Sequence, residues 1–525
     1  MKKLITFLIL FVFTYNYNLA QNRYFDEVFD SVNVTTNIKY ADNITVVLSA
    51  VGKGPTIPTG THQLAPDLVF DFYEPNGDSL TERPLLVYLH TGTFAPRFLN
   101  NNPTGDRNDY ATKTMCERFA KRGYAVANVE YRLGWNGGAG GSLEANSISL
   151  ISAVYRAIQD TKAAVRYFYR DVKDSSNTYK IDTNKIALVG QGSGGWVALG
   201  YASVSDTSDL QLPKFLSPTG DMLISLDSLG DWDGYGGSPN QNIENNAGYS
   251  SKIQMVCSMA GGMGDLAWLK AGNVPMAAVH TREDNVAIYT SGDVSVTTAQ
   301  GLIPITTGIS GSYDVIDSAN KLGNNNILSG INDVYTTAAY NASLKLVDSI
   351  DKGLGVIGQP VDNLFPFITG NTDDSAPWEY YDTAFVRLAA PQVGADPNLI
   401  LAKAINDNPD MDSTKANAYL DSTLGFFCPR IVKALSLAGP VVDVIENNSY
   451  SDILIYPNPV SGTINFNAPS KIKSIKIYNQ LGTLVKQFNP NSLNYNFNTD
   501  EMPNGIYISQ ISTTEKDYVE KVILK

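Results

Sequence analysis

A serine in a glycine-rich run is the residue whose setting most suggests chemistry. Ser193 stands in Ile186-Ala187-Leu188-Val189-Gly190-Gln191-Gly192-Ser193-Gly194-Gly195, an apolar stretch that ends abruptly in glycines. A sharp strand-to-helix turn there would expose a hydroxyl at a sheet's edge, and a hydroxyl becomes a useful nucleophile only beside a base. Bases are scarce, because the chain has three histidines, His62, His90 and His280. His280 is available if Asp265, in the loop after the preceding apolar run, serves as its acid. The three cysteines, Cys116, Cys257 and Cys428, lie far apart without metal-ligand spacing, and at least one must be unpaired. They read as small buried apolar residues. Asn406 to Asp412, N-D-N-P-D-M-D, is rich in oxygen ligands but lacks the glycine and closing glutamate of a hand-type calcium loop, so it reads as a solvated turn. No metal or cofactor is expected.

The elements that must position these residues are visible as periodicities. Short apolar runs occupy Leu68 to Tyr73, Leu85 to His90, Ala125 to Tyr131, Ile186 to Val189, Ile253 to Ala260 and Pro275 to His280. Helical stretches lie between them, and that alternation argues for an α/β body with a mostly parallel sheet. Ala153, Ala157, Ala164, Val165 and Phe168 recur at helical spacing and predict a helix packed on the sheet. Residues 21 to 45 read as an irregular lead-in. Residues 290 to 400 are less regular and carry Phe365, Phe367, Trp378, Tyr380 and Tyr381, either as cap-like insertions over the sheet or as plain aromatic core. After a polar linker over 438–451, residues 452–525 alternate in period two, as in Ile472, Ile475, Ile477 and Ile506, Ile508, Ile511. Turn residues separate these runs, which predicts a small all-β sandwich.

Two segments resemble known families. Leu85 to Phe94, containing His90-Thr91-Gly92-Thr93-Phe94, is similar to the segment after the third strand of esterase and lipase-like α/β-hydrolases, where glycines turn backbone N–H groups toward a developing oxyanion. Arg122-Gly123-Tyr124-Ala125-Val126, Tyr131-Arg132-Leu133-Gly134, Ile158-Gln159-Asp160 and Tyr179-Lys180-Ile181-Asp182 follow in the family's order. The run around Ser193 resembles the nucleophile elbow, which needs small residues two before and two after the nucleophile. With Ser193 as nucleophile, Gly195 fits and Gln191 does not. In the other frame Gly190 and Gly194 flank Gly192, and the nucleophile position is empty. The Ser193 frame is preferred because it aligns the strand and the flanking glycines. Pro275 to Val286 resembles the strand and loop that supply the acid, which makes Asp284 that carboxylate. A turn-capping aspartate is the other role open to it. The resemblance covers roughly residues 65–290 and implies acyl transfer through Ser193, with Gly92, Thr93 and Gly194 as oxyanion donors. The histidine should follow the acid, and none follows Asp284.

Residues 452–525 resemble the type A sorting domain of the type IX secretion system. The matching residues are Ile455-Tyr456-Pro457-Asn458-Pro459, Ile475-Lys476-Ile477-Tyr478-Asn479, Leu481-Gly482, Gly505-Ile506-Tyr507 and Lys521-Val522-Ile523-Leu524-Lys525. The resemblance implies handling by that machinery. At the other end, Met1-Lys2-Lys3 and the apolar run Leu4 to Phe13 read as a signal peptide over residues 1–20. That leaves residues 21–437 as the body. No later run is long enough to span a bilayer, so the mature chain is expected to have no transmembrane segment. The formal charge of -13, with no basic run, argues against a nucleic-acid partner. The chain is thus expected to be secreted or surface-exposed, either a carboxylic-ester hydrolase or a hydrolase-fold protein that binds a small or polymeric ester without turning it over. The missing histidine favours the second, but the elbow, oxyanion turn and acid loop persist together, so the first, a carboxylic-ester hydrolase, is the expectation.

Overall fold

The structure, a computed structural model, describes residues 22–46, 62–65, 67–135, 143–284, 286–298, 301–348, 359–370, 374–437, 453–460, 462–479 and 484–524. The expected leader over 1–20 and linker over 438–451 lie outside the described residues. Two compact units emerge, Met1–Pro440 and Val441–Lys525.

The first unit is built on eight strands: β1 (Val32–Ala41), β2 (Leu68–Pro75), β3 (Arg83–Leu89), β4 (Ala125–Val129), β5 (Ile181–Gln191), β6 (Met255–Met259), β7 (Met276–Thr281) and β8 (Leu364–Phe367). Their spatial order is β1-β2-β4-β3-β5-β6-β7-β8. β1 and β2 run antiparallel to their neighbours, and from β4 to β8 every pairing is parallel. This is the mostly parallel sheet that the alternating runs predict, and it fits the α/β-hydrolase body that the resemblance implies.

Period two explains why the runs are apolar throughout. On β3, Leu85, Val87 and Leu89 enter the core on one face, while Leu86 and Tyr88 enter the core on the other. Helices cover both faces, as a parallel sheet requires. Ala153, Ala157, Val165 and Phe168 of α2 (Leu143–Asp174) and Val197 and Leu199 of α3 (Ser193–Ser203) bury one face. Met115 and Phe119 of α1 (Tyr110–Lys121), with Leu420, Leu424 and Phe427 of a late helix, Ser413–Ala434, bury the other.

Two expectations change. The lead-in contains β1, whose pairing with β2 was hidden because its residues are mostly exposed and polar. Much of residues 290–400 extends the body: α4 (Ser312–Lys321) and α5 (Val334–Asp348) precede β8, and Phe365, Phe367 and Trp378 pack in the core. A cap-like insertion remains in α6 (Thr383–Ala389) and α7 (Pro397–Asp407), which form their own small cluster with Phe98 and Tyr381. The late helix Ser413–Ala434 is α8. Its first turn disposes of the oxygen-rich loop: Asp412 accepts from the N–H groups of Thr414 and Lys415, and the Lys415 ammonium donates to Asn408 Oδ1 and the Pro409 carbonyl.

The second unit is an antiparallel six-stranded assembly of β9 (Leu454–Tyr456), β10 (Thr463–Asn479), β11 (Leu484–Phe488), β12 (Ser492–Asn498), β13 (Gly505–Thr513) and β14 (Asp517–Leu524). Ile472, Ile475, Ile477 and Ile511 are buried as expected. Ile506 and Ile508 are exposed instead, because β13 turns Tyr507, Ser509 and Ile511 inward.

All three cysteines are free and buried. Burial pushes each thiol up, that of Cys428 to about 12. The folded protein is therefore expected to take up no iodoacetamide at about pH 8, and the urea-unfolded chain to take up three equivalents. Intact-mass spectra check this, and labelling of the folded state would contradict the packing.

Candidate functional site

The turn between β5 and α3 is fixed by backbone crowding. Gly192 lies at its apex with φ 53° and ψ -119°, and Ser193 is already the first residue of the helix. That conformation is costly for any residue with a Cβ. A Cβ on Gly190 would overlap the Gly194 carbonyl, and one on Gly194 would overlap the Leu89 carbonyl. Gly190 and Gly194, each blocked by a backbone carbonyl, flank Gly192, and Gly195 is crowded as well, where a Cβ would lie 2.7 Å from Ser258 Oγ. Gln191, the misfit in the Ser193 frame, is a buried strand residue whose Oε1 accepts from the Tyr88 hydroxyl at 3.1 Å. At Gly192 a Cβ would overlap Thr91 Oγ1, with Thr91 Cβ at 3.0 Å. A threonine from the turn after β3 thus fills the space into which an apex side chain would grow.

That facing turn is strained in a way that aims its amides. Gly92 has φ 139° and packs so closely that a Cβ would lie 2.6 Å from the Gly105 carbonyl oxygen. Thr93 and Phe94 both hold φ 55°, unusual for residues with side chains. The Thr93 N–H donates to Ser193 Oγ at 3.2 Å. Tyr131 donates its hydroxyl proton to the His90 carbonyl at 2.7 Å, so the Ser193 hydroxyl, 3.1 Å away, donates to the tyrosine oxygen. Burial holds the Tyr131 phenol well above its ordinary value, against the smaller pull of Ser193. A buried pair anchors this tyrosine: Arg132 Nε donates to Asp160 at 2.9 Å, and the Arg132 N–H donates to the same carboxylate at 2.8 Å. Gly194 is the second helical residue, so with Gly192 at the apex the first helical N–H, that of Ser193, takes the place expected of Gly194.

Asp284 and His280 meet each other. Asp284 Oδ1 accepts from the N–H groups of Val286 and Ala287, both at 2.8 Å, which is the turn-capping role, and Oδ2 lies 3.4 Å from His280 Nε2. His280 is fully buried, with Nδ1 2.8 Å from Ser312 Oγ and Nε2 2.8 Å from the Ala287 carbonyl. The alternative in which Asp265 serves as the acid for His280 does not form, because Asp265 pairs with Lys214 at 2.8 Å and caps Ala267. Among the described residues no hydrogen bond joins Ser193 to either Asp284 or His280.

Sequence reasoning missed Thr91 as a plug, Tyr131 as the serine's partner, and Glu379. Glu379 accepts from Thr104 Oγ1 at 2.6 Å, beside the Gly105 turn, and burial pushes its carboxyl up to about 7. Thr91 and Tyr131 stand within the matched motifs, but their contacts arise only once the β3 turn and the elbow fold against each other. Among the described residues no group of histidine, cysteine, aspartate and glutamate side chains gathers in a metal-binding arrangement, and no helix is long and apolar enough to cross a membrane.

Residues 70–291 match the family described as BD-FAE, and residues 454–525 match the secretion system C-terminal sorting domain. No curated protein matches the chain. Among solved structures it is similar to a propionate-bound thermophilic esterase from the Planctomycetes species Thermogutta terrifontis, at 17% identity over 46% of this chain and 74% of that one, with a TM-score of 0.26. A truncated carbohydrate esterase from gut microbiota is similar at 16% identity over 50% of this chain and 81% of that one, with a TM-score of 0.30.

The surroundings of His90 predict a pH dependence for the stability of the turn after β3. It is wholly buried, stacked on Tyr131 with ring centroids 4.6 Å apart, and its Nε2 lies 3.3 Å from Glu130 Oε1, close enough for an ion pair but outside hydrogen-bond geometry. Burial alone would lower its pKa. The Glu130 carboxylate, the Thr91 carbonyl and Asp106 outweigh that and raise it. A raised folded value means the stabilisation is full below about pH 6.5, the unfolded value, and is lost as pH rises through the folded one. Glu130→Gln is expected to lower Tm by roughly 2–4 °C more at about pH 5.5 than at about pH 9. Equal losses in thermal scans at the two pH values would mean that His90 stays neutral.

Proposed function

We propose that this chain, an esterase-like α/β-hydrolase body exported through a type IX sorting domain, recognises an ester or acyl ligand at the cell surface or in the medium without forming an acyl-enzyme. The observation that carries this reading is the glycine at the elbow apex with Thr91 packed where its side chain would begin. Acyl transfer needs an oxygen nucleophile and a base, and removing the nucleophile from a working serine triad costs on the order of a millionfold in kcat. The Ser193 hydroxyl is a poor substitute. Its oxygen occupies the Thr93 N–H that would stabilise an oxyanion, and its proton faces a phenol that burial keeps protonated at neutral pH. The donors themselves remain, so a ligand carbonyl oxygen that displaces the Ser193 hydroxyl would find a prepared amide.

A second reading keeps ester hydrolysis in the chain. Ser193 lies one residue beyond the apex and already touches Thr93 N–H, so an acyl group on its oxygen would start beside one oxyanion donor. A fluorophosphonate probe and a short aryl ester separate the two readings. We expect no probe adduct and no turnover above background, in the parent and in Ser193→Ala alike. Turnover abolished by Ser193→Ala would establish the second reading and sink the first.

The plug itself can be tested through stability. Gly192→Ser is expected to cost roughly 1–3 kcal/mol, from positive-φ strain and overlap with Thr91. Thr91→Gly in the same chain should recover part of that cost. Additive losses in a double-mutant cycle would show that the two residues do not share that space.

Export depends on the second unit, which has its own buried core. Deleting residues 452–525 is expected to leave a folded body in the periplasm, and cell fractionation with normal recovery from the medium would contradict that.

A further inference from the structure

A cavity of about 460 Å³ opens at the other end of the body sheet. It is lined by Val361 to Leu364 where β8 begins, and its wall residue Asn325 accepts through Oδ1 from the N–H of Met276, the first residue of β7. The elbow lies at the carboxyl ends of the parallel strands, so the cavity is separate from it. Its volume falls within the range of small-molecule sites, roughly 300–1,000 Å³.

The cavity is built around a buried cation whose carboxylate neighbours, Asp333 and Asp362, act on it from beyond ion-pair distance, Asp333 through the Thr336 hydroxyl. Arg430 of α8 is 2% exposed. Its Nε donates to Asn363 Oδ1 at 3.2 Å, and its Nη1 donates to Thr336 Oγ1 at 3.2 Å and the Phe426 carbonyl at 2.8 Å. The guanidinium carbon lies 3.5 Å from the centroid of the Phe426 ring. No carboxylate lies within ion-pair distance among the described residues, and Nη2 has no partner among them. Burial lowers the pKa of Arg430 only to about 10, so it stays charged at neutral pH. A buried charge without a carboxylate in direct contact is expensive, and a cavity beside it offers a ligand's carboxylate that direct contact, which Asp333 and Asp362 do not make.

The remaining lining sets the rest of the ligand. Asn325 and Asn363 both donate to Asn320 Oδ1, at 2.7 and 3.3 Å, and so hold the amide floor in one arrangement. At the rim, the Asn332 and Asp362 side chains are exposed, and Tyr340 presents a ring that is 49% exposed. Amides and a carboxylate suit hydroxyl groups, and an open aromatic face suits the C–H face of a ring. Asp362 also disfavours a second negative charge, which speaks against a dianion such as phosphate.

We infer that this cavity binds a hydroxylated monocarboxylate of sugar-acid size, its carboxylate on Arg430 and its hydroxyls on the asparagine wall. Calorimetric titration of the full chain tests this with D-glucuronate, D-glucose and inorganic phosphate as probes. Glucuronate is expected to bind, with glucose weaker by roughly ten- to a hundredfold because it cannot pair with the arginine. Phosphate should be the weaker anion. Asn332→Ala and Tyr340→Ala, both at the exposed rim, should each weaken glucuronate several-fold with Tm unchanged, and Arg430→Met should abolish binding if the variant folds. Absence of glucuronate binding up to on the order of 10 mM, equal affinity for glucose, tighter binding of phosphate, or indifference to both rim variants would each overturn the assignment, whether or not the arginine variant is stable.

Discussion

The close approach of three backbones at the carboxyl end of the sheet constrains everything around the elbow. β5 must turn into α3 against the end of β3, and the contact leaves no room for a Cβ at Gly190 or Gly194. The residue between those two, Gly192, is the apex, and Ser193 is carried into the helix. Sterics two residues away thus accompany the positive φ found at Gly192. Thr91 belongs to the same arrangement, because a β-branched side chain at that point fits only above a glycine. The pair behaves as one packing unit across the gap between the β3 turn and the elbow.

Much of this fold was legible in the sequence because a sheet buried on both faces imposes continuous apolar runs, and six of the eight body strands announce themselves that way. β1 did not, since its outward residues are polar and its partner lies distant in the chain. β8 was read only as part of an aromatic stretch, because Leu364 to Phe367 is too short to show a period. The elbow was harder for a different reason. Glycines stand at 190, 192, 194 and 195, so two frames satisfy the pattern of small residues, and the choice depends on which Cβ would collide with which carbonyl. In the second unit the period was right and the phase was wrong at Ile506 and Ile508, because Tyr507 supplies the larger ring to the core.

The three histidines illustrate how burial commits a residue. His280 has both ring nitrogens engaged inside the body, and His90 is clamped between the Tyr131 ring, the Thr91 carbonyl and Glu130. Glu130 is shared with Arg107, which also pairs with Asp71. Neither imidazole can swing toward Ser193 without breaking contacts that hold its own turn. His62 sits on a short strand pairing with Ile44–Val46, in a segment remote in sequence from the elbow. Among the described residues, the hydrogen bonds of Ser193 go to Thr93 and Tyr131 and none goes to a histidine. Tyr131 is unsuited as a base because burial favours the neutral phenol.

What the site retains is as informative as what it lacks. Thr93 and Phe94 hold positive φ angles that cost of order 1–3 kcal/mol each, and such strain persists only where surrounding structure enforces it. The enforcement is visible: Gly92 is wedged on Gly105, Asn100 ties that loop through the Thr104 carbonyl, and the carbonyl of Phe94 accepts from the N–H groups of Gly134 and Trp135. These contacts aim the Thr93 N–H into the space above α3, where the Ser193 oxygen now rests. A turn that only had to close a loop could relax into a cheaper conformation. The strain is better understood as the cost of keeping an amide pointed at an oxygen, a demand that a bound carbonyl makes in kind with a transition state, but more weakly because it carries less charge.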